Sequence, residues 1–293
     1  MPKKLHFLII MGKTGPNHID IINAITDAGH ISHTFSINDA TIKIIQGKEV
    51  VFFQEYPLSF FDIIIPRTIQ TNLSLGRFIL CQARAEQFVL DECIAHRDTF
   101  GKISQGKALL DKKINHPKTI YTANADALPL IINALSFPCV AKPVSGRQGA
   151  GVTLVRDQNE AIKIIKEHAM GYLFQEYLPI QFDYRIFVVG GKAIGGIQRH
   201  ISKNDFRTNA SVGSEVTNTK MTAALRSTAI QATAVFGYDI AGVDIAIVNG
   251  RHYVFEVNRS PQWQAFKKAT GINPAKHIIE YAIKKHHKKH RAA

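Results

Sequence analysis

The chain has 293 residues, 45% of them hydrophobic and 20% charged, which is long enough to bury a sizeable core in one large domain or two to three smaller ones. Its net charge of +13 fits a phosphate, nucleic-acid or acidic-protein partner, and part of the excess lies in the terminal KKHHKKHRAA, predicted as a solvated helix end. Cys81, Cys93 and Cys139 lack paired spacing, which argues against a disulfide framework or a zinc site, and no stretch reaches membrane-spanning length, so a cytoplasmic, soluble protein is expected.

The opening MPKKLHFLIIMGKTG has a basic start and a short apolar run. No small-residue cleavage site follows, and residues 5–11 read as a first strand. Ile19, Ile22, Ile25 and Ala28 fall at roughly helical spacing, with Gly29 as the stop. Short strands are predicted at 31–37, 41–45 and 49–53. FFDIIIPR reads as a buried strand ending at Pro66-Arg67, and a helical region is predicted from about Asn72 to Ile94. Residues 1–97 thus read as a small α/β domain.

A second block, 98–178, opens with a short helix near Lys102. It continues as strand, glycine-rich loop and strand in FPCVAKPVSGRQGAGVTLV, then the amphipathic helix NEAIKIIKEHA and the strand YLFQEYLPI. The third block, 179–293, has two strands joined at Gly190-Gly191, the polar loop KNDFRTNASVGSE and a long helix ending at Gly237. The strands AGVDIAIV and HYVFEVNRS follow, with the hairpin signal Asn249-Gly250 between them. A terminal helix is predicted from about Asn273.

The last hairpin carries the clearest chemistry. Glu256 and Asn258 are two apart and share a strand face, and the hairpin folds Asp244 back beside them. Three oxygen-bearing side chains at one spot suit a hard divalent cation, and Mg²⁺ commonly keeps substrate phosphates as its other ligands. In SGRQGAGV, Gly146, Gly149 and Gly151 permit tight turns and close backbone approach to an anion. Their order, with a strand following, is not the dinucleotide fingerprint; it fits a phosphate-covering flap, or equally a plain hairpin tip. Gly12-Lys13-Thr14 is not a phosphate loop, because Phe7 stands where the earlier glycine is required. Lys142 interrupts an apolar strand, where a point charge suits phosphate oxygens, and Lys102 opens the same block. Asp183 and Arg185 share a strand face, and Arg207 and Asn209 are again two apart. Taken singly, these read equally as an ion pair and a polar loop. No histidine spacing fits a metal site, and Ser260-Pro261 forms no nucleophile elbow.

Taken together, these segments resemble the ATP-grasp superfamily, and within it the RimK-type α-L-glutamate ligases. FDIIIPR, VAKPVSGRQGAGV, FQEYLPIQFDYRIFVVGGKAIGGIQR, DFRTN and AGVDIAIV…FEVNRSP follow in that family's order along nearly the whole chain. The resemblance implies an ATP-grasp fold: an N-terminal α/β (pre-ATP-grasp) domain, then two ATP-binding subdomains with ATP between them. It implies that Lys102 and Lys142 contact ATP phosphates, and that Gln175, Glu176, Tyr177 and Leu178 line the adenine pocket. Asp183 would reach the ribose region, and Arg207 and Asn209 the terminal phosphate. Asp244, Glu256 and Asn258 would hold Mg²⁺, as two ions, with Mn²⁺ as a substitute. Arg185 would meet the transferring phosphoryl or an acyl phosphate.

Two departures bear on the acceptor. The family's His-Arg-Gly-Gly run after DFRTN is Ala210-Ser211-Val212-Gly213 here, which removes a basic residue. EVNASPG is EVNRSPQW, which adds Arg259 and Trp263. Arg259 is a candidate to replace the lost charge, and Arg185 or Arg259 to face the oxyanion. The activity implied is an ATP-dependent carboxylate–amine ligase using an amino acid or peptide, with an acidic protein tail or a ribosomal protein among the acceptors. A homo-oligomer is compatible with the sequence. The alternative is a non-catalytic ATP-binding module that regulates a partner; the Asp–Glu–Asn set argues against it. Direct nucleic-acid binding, raised by the charge, lacks a supporting motif or interleaved aromatics.

Overall fold

A computed structural model of the chain describes residues 3–12, 14–96, 101–144, 150–167, 171–201 and 215–292. The boundary expected near residue 97, and the predicted site residues Gly146, Gly149, Arg207 and Asn209, lie outside them. The chain opens with β1 (His6–Ile10), α1 (Pro16–Asp27) and β2 (Ile31–Phe35). The antiparallel ribbon β3 (Ala40–Ile45), β4 (Lys48–Phe53) and β5 (Tyr56–Pro57) follows, then β6 (Ile63–Pro66), α2 (Leu73–Cys81) and β7 (Phe88–Val89). β1, β2, β6 and β7 form a parallel sheet in the order β2-β1-β6-β7. Strand periodicity divides its side chains between two cores. Phe7, Ile9, Ile63 and Ile65 enter one, and Leu8, Ile10 and Ile64 the other, as expected of a parallel sheet covered on both faces.

The helix predicted across 72–94 is shorter. Asn72 Oδ1 accepts from the Leu75 amide at 3.3 Å to open it, and it ends at Cys81. The following segment is drawn onto the sheet edge, where Gln87 Nε2 donates to the carbonyls of Leu58 and Phe61 at 2.8 and 2.6 Å. Phe88 and Val89 then extend the sheet and bury one side chain on each face.

The middle of the chain holds α3 (Lys102–Asp111), β8 (Thr119–Thr122), α4 (Leu128–Ala134), β9 (Cys139–Pro143), β10 (Thr153–Val155), α5 (Gln158–Glu167) and β11 (Tyr172–Glu176). β10-β9-β11-β8 is a small antiparallel sheet with its own core against α4 and α5. α3 is not part of that core; Leu109 packs with the third block.

The third block is β12 (Phe182–Val189), β13 (Lys192–His200), β14 (Val216–Asn218), α6 (Ala223–Phe236), β15 (Ile240–Val248), β16 (Arg251–Asn258), α7 (Gln264–Thr270) and α8 (Pro274–Ala292). Its antiparallel sheet runs β14-β13-β12-β15-β16. One face packs on α6 through Ile186, Val188, Val243 and Val254. The other supplies Phe187, Val189 and Ile240 to the same core that holds Phe7, Ile9 and the α8 residues Ile278 and Ile279. The first and third blocks therefore share one hydrophobic core. The predicted Asn249-Gly250 turn has φ of 50° and 75° at its two residues, the left-handed pair that a two-residue hairpin requires. α4 and α7 go beyond the predicted elements; both are seven residues long, too short for a periodic pattern to emerge.

A polar seam ties the first block to the third. Asp91 Oδ1 accepts from the amides of Asp239 and Ile240 at 2.6 and 3.1 Å, and Asp239 Oδ2 accepts from the Asp91 amide at 2.7 Å. Trp263, fully buried, donates its Nε1–H to Asp20 at 3.0 Å, and Lys267 Nζ reaches the other oxygen of Asp20 at 2.5 Å.

Candidate active site

The third sheet lays charged residues in a row across its strands. Register sets Asp183 opposite Arg199, Arg185 opposite Asp244, and Asp244 opposite Glu256. Because cross-strand partners share a face, all five stand on one side, beyond the point where Phe187 and Val189 enter the core. The contacts follow the register. Arg199 grips Asp183 with Nε at 2.7 Å and Nη2 at 2.5 Å, and Arg185 grips Asp244 with Nε and Nη2 both at 2.7 Å. Arg199 Nη2 also lies 3.1 Å from Asp244 Oδ2, and Asn258 Nδ2 is 3.5 Å from the same oxygen. The Asp244 carboxyl is held below its usual range by the two guanidinium groups, which overcome the opposing effect of burial, the largest single influence.

A β-bulge shapes this row. Asp244 pairs with Glu256 but Ile245 pairs with Val254, which leaves Phe255 as the extra residue. The bulge shifts the parity of β16, so Val254 and Val257 both reach the α6 core although they are three apart. Glu256 and Asn258 stay on the side of Asp244.

The middle sheet faces this row with a lysine. Ala141 and Phe174 point into its core, so Lys142 and Gln175, on the opposite parity, point out of it. Lys142 Nζ donates to Gln175 Oε1 at 2.5 Å and lies 5.7 Å from the centre of the Phe255 ring. Burial pulls its pKa down to about 8, and neighbouring Lys102 adds to that, against the opposing pull of Glu256 and Asp244. Lys102, in the first turn of α3, donates to the Pro143 carbonyl at 2.8 Å. Its pKa is also lowered by burial and raised in part by Glu256. Glu256, the cross-strand partner of Asp244, thus acts electrostatically on both lysines.

His116, Thr119 and Arg199 extend the set predicted from sequence. His116 Nδ1 is 2.8 Å from the Val254 carbonyl, which can only accept, so the proton sits on Nδ1. Nε2 is then left to accept from Gln175 at 3.3 Å, while Gln175 also donates to Thr119 Oγ1 at 2.9 Å. Burial lowers the His116 pKa, consistent with a neutral ring. A lone histidine before a proline carries no spacing signal, whereas Arg199 could have been found as the cross-strand partner of Asp183 once the Gly190-Gly191 hairpin was drawn.

The remaining expected residues fall as follows. Glu176 ends β11; its amide donates to the Lys118 carbonyl at 2.9 Å and its Oε2 accepts from the Lys118 amide at 3.3 Å. Tyr177 is half-buried and Leu178 buried. Gly151 takes φ +71°, with Pro143 3.1 Å from where a Cβ would stand. Asp183 is buried, and both of its oxygens accept from Arg199.

Arg259 requires a correction. Expected to face the oxyanion, it is 5% exposed and turns away toward the first block. Its Nη1 donates to the Pro66 carbonyl at 2.7 Å and lies 3.6 Å from Asp91. Register explains the turn: Asn258 ends β16, and the chain then crosses to the end of β6, where Ser260 Oγ and Arg67 Nη2 complete the junction.

The carboxylates of Asp244 and Glu256, paired in register, with the Asn258 amide beside Asp244, fit a hard cation such as Mg²⁺. Lys102 and Lys142 lie outside any carboxylate salt bridge among the described residues, which fits an anionic ligand between the two sheets. A separate groove of about 710 Å³ beside Lys285, Lys288 and Glu92 contains none of the catalytic, nucleotide or metal residues predicted from the sequence. Among the described residues no helix is long and apolar enough to cross a membrane.

Comparison with known proteins shows the family and the fold. Residues 99–282 match the family model described as RimK-like ATP-grasp domain. A protein of Methanococcoides burtonii named probable alpha-L-glutamate ligase is 32% identical over 272 residues, covering 90% of each chain. Among solved structures, the ATP-grasp ligase PsnB complexed with minimal precursor superposes with a TM-score of 0.75 at 18% identity, covering 96% of this chain and 98% of that one. A RimK domain ATP-grasp protein from Sphaerobacter thermophilus gives 0.70 at 16% identity, covering 95% and 99%.

Proposed function

Because this chain belongs to the RimK-like ATP-grasp family, and so is an ATP-grasp ligase that forms C–N bonds, we propose that it joins glutamate or a similar amino acid to a peptide, protein or small-molecule carboxylate. In this reading the γ-phosphoryl of ATP passes to a carboxylate oxygen and ADP leaves. The neutral amine then attacks the acyl carbon; the C–N bond forms, the C–O bond to phosphate breaks, and the nitrogen loses its proton. The relative named as a glutamate ligase supports the amino acid, and the PsnB structure complexed with a precursor peptide supports a peptide acceptor.

The observation that carries the reading is the placing of Lys142 and Lys102 on one sheet and helix against Asp244 and Glu256 on another. Phosphoryl transfer depends on positioning and on neutralising charge. The two lysines would meet phosphate oxygens, with Gln175, His116 and Thr119 fixing the Lys142 head. Asp244, Glu256 and Asn258 would hold Mg²⁺, which when bound screens the β- and γ-phosphate charge. Gln175 to Leu178 would border the adenine, Gly146 and Gly149 would cover the phosphates, and Arg207 and Asn209 would lie near the terminal one. Arg185 is the candidate for the acyl phosphate.

Incubation with ATP, Mg²⁺ and a panel of amino acids and acidic peptides tests the activity. A mass increase of the acceptor equal to one condensed amino acid, with one ADP per product, is expected. ADP release without such product under every acceptor would count against ligation. Glu256→Gln is expected to lower Mg²⁺-dependent turnover by at least about 100-fold while the melting temperature holds, the scale of losing a group that stabilises transition-state charge.

A further inference from the structure

We propose that Arg185 and the divalent cation compete for the Asp244 carboxylate, so that cation binding releases the Arg185 guanidinium toward the anionic substrate. The inference rests on the reading that Asp244 and Glu256 are cation ligands. Arg185 places a fork on both Asp244 oxygens at 2.7 Å, the geometry of a bidentate pair. Mg²⁺ requires near-octahedral geometry at about 2.0–2.1 Å from its oxygen ligands. Asp244 already carries two guanidinium groups, so a cation there would be a third positive group, crowded against the fork that Arg185 places on both oxygens.

The two arginines that hold Asp244 are not equivalent. Arg199 is 3% exposed and grips Asp183 with a full fork of its own, so its contact at 3.1 Å is fixed from behind. Arg185 is 19% exposed, and among the described residues its hydrogen bonds go to Asp244 alone. Arg185 is therefore the group that yields. Arg199 stays and keeps the carboxylate ionised and aimed. Released, Arg185 keeps its place in β12, directly across from Asp244, which confines its swing to the rim of the cation site. The consequence is an order of events: the cation–nucleotide complex binds first, and the arginine then becomes free to receive the carboxylate that is to be phosphorylated.

The experiment is titration of the full chain, without nucleotide, with Mn²⁺ as an electron paramagnetic resonance probe of free ion. Arg185→Met keeps the stem and removes the fork; it is expected to bind Mn²⁺ at least about tenfold more tightly than the unmodified chain, the scale of one charge-assisted hydrogen bond removed from competition. Arg185→Lys, with a single point of contact, is expected to gain about threefold, and it carries the comparison if the methionine variant does not fold. Lys142→Met removes a nearby charge that does not touch Asp244, and an equal gain there would overturn the competition in favour of a general charge effect. Unchanged Mn²⁺ affinity in folded Arg185→Met would overturn it outright. Adding Glu256→Gln to Arg185→Met is expected to abolish the gain; tight binding retained in that double variant would instead sink the cation-site reading on which the proposal rests.

Discussion

Lys142 is held where burial favours the neutral amine, and its pKa of about 8 makes its charge sensitive to conditions near neutrality. Below that value the ammonium is ready to meet phosphate. Above it, the bound state must take up a proton that the free protein lacks. ATP affinity is therefore expected to fall as pH rises past about 8, by up to about tenfold per unit until the bound-state pKa is reached. Calorimetry at about pH 8.5 in two buffers of different ionisation enthalpy should register proton uptake, and Lys142→Met should remove both the uptake and the pH dependence. At this scale the sequence was legible where strand parity alone decides position, as for Asp244, Glu256, Lys142 and Arg185. It offered Arg259 as a candidate for the oxyanion, because its type and its place after Asn258 match such a group. What decides its role is a crossing of the chain to the carbonyls of Pro66 and Arg67, a contact between residues almost two hundred apart.

Elements were read well where their signals are local: the Asn249-Gly250 turn, the Gly237 stop of α6 at φ +69°, and the buried strand before Arg67. The segment after Cys81 was misread because helical propensity is a weak prior against the bonds that Gln87 makes to Leu58 and Phe61. The loop from Arg259 to Trp263, where the chain departs from the family pattern, turns out to be a junction between elements. Trp263 is fully buried against α1 and β12; Arg67 lies 4.8 Å from its ring centre, and Phe187 meets it edge-on. Trp263→Ala is expected to destabilise the chain by about 3–5 kcal/mol, measured by denaturant titration followed by circular dichroism. Trp263→Phe should lose only about 1 kcal/mol, since it keeps most of the packing and drops one hydrogen bond, to Asp20. The tryptophan is the only one in the chain, so its fluorescence reports this junction directly.

For the molecule as a whole, the order of blocks was readable from alternating strand and helix patterns, but their grouping was not. Three consecutive blocks suggest three comparable units. In the structure the first and third share a core through α8, because Ala275, Ile278, Ile279 and Ala282 present one face to both β1 and β12 neighbours. Sequence periodicity shows that α8 has an apolar stripe; it does not say which sheets the stripe covers. The terminal lysines follow as the exposed side of that helix, with Lys289 reaching the Gln87 carbonyl at 3.1 Å. Nothing in this arrangement requires the +13 charge to serve nucleic acid.

The separate core of the middle sheet has a thermal consequence. That core is small, built on Ile131, Leu135, Val155, Ile165, Phe174 and a few neighbours, while the shared core joins the first and third blocks. Units with independent cores melt independently, and the smaller is the weaker. Differential scanning calorimetry should resolve two heat-absorption peaks, the lower belonging to residues 119–176. A nucleotide held against Lys142 binds only the folded form of that unit, and at about 100 times its dissociation constant it should add about 2.7 kcal/mol to it. The lower peak should therefore climb toward the upper one as nucleotide is added, until the trace shows a single transition.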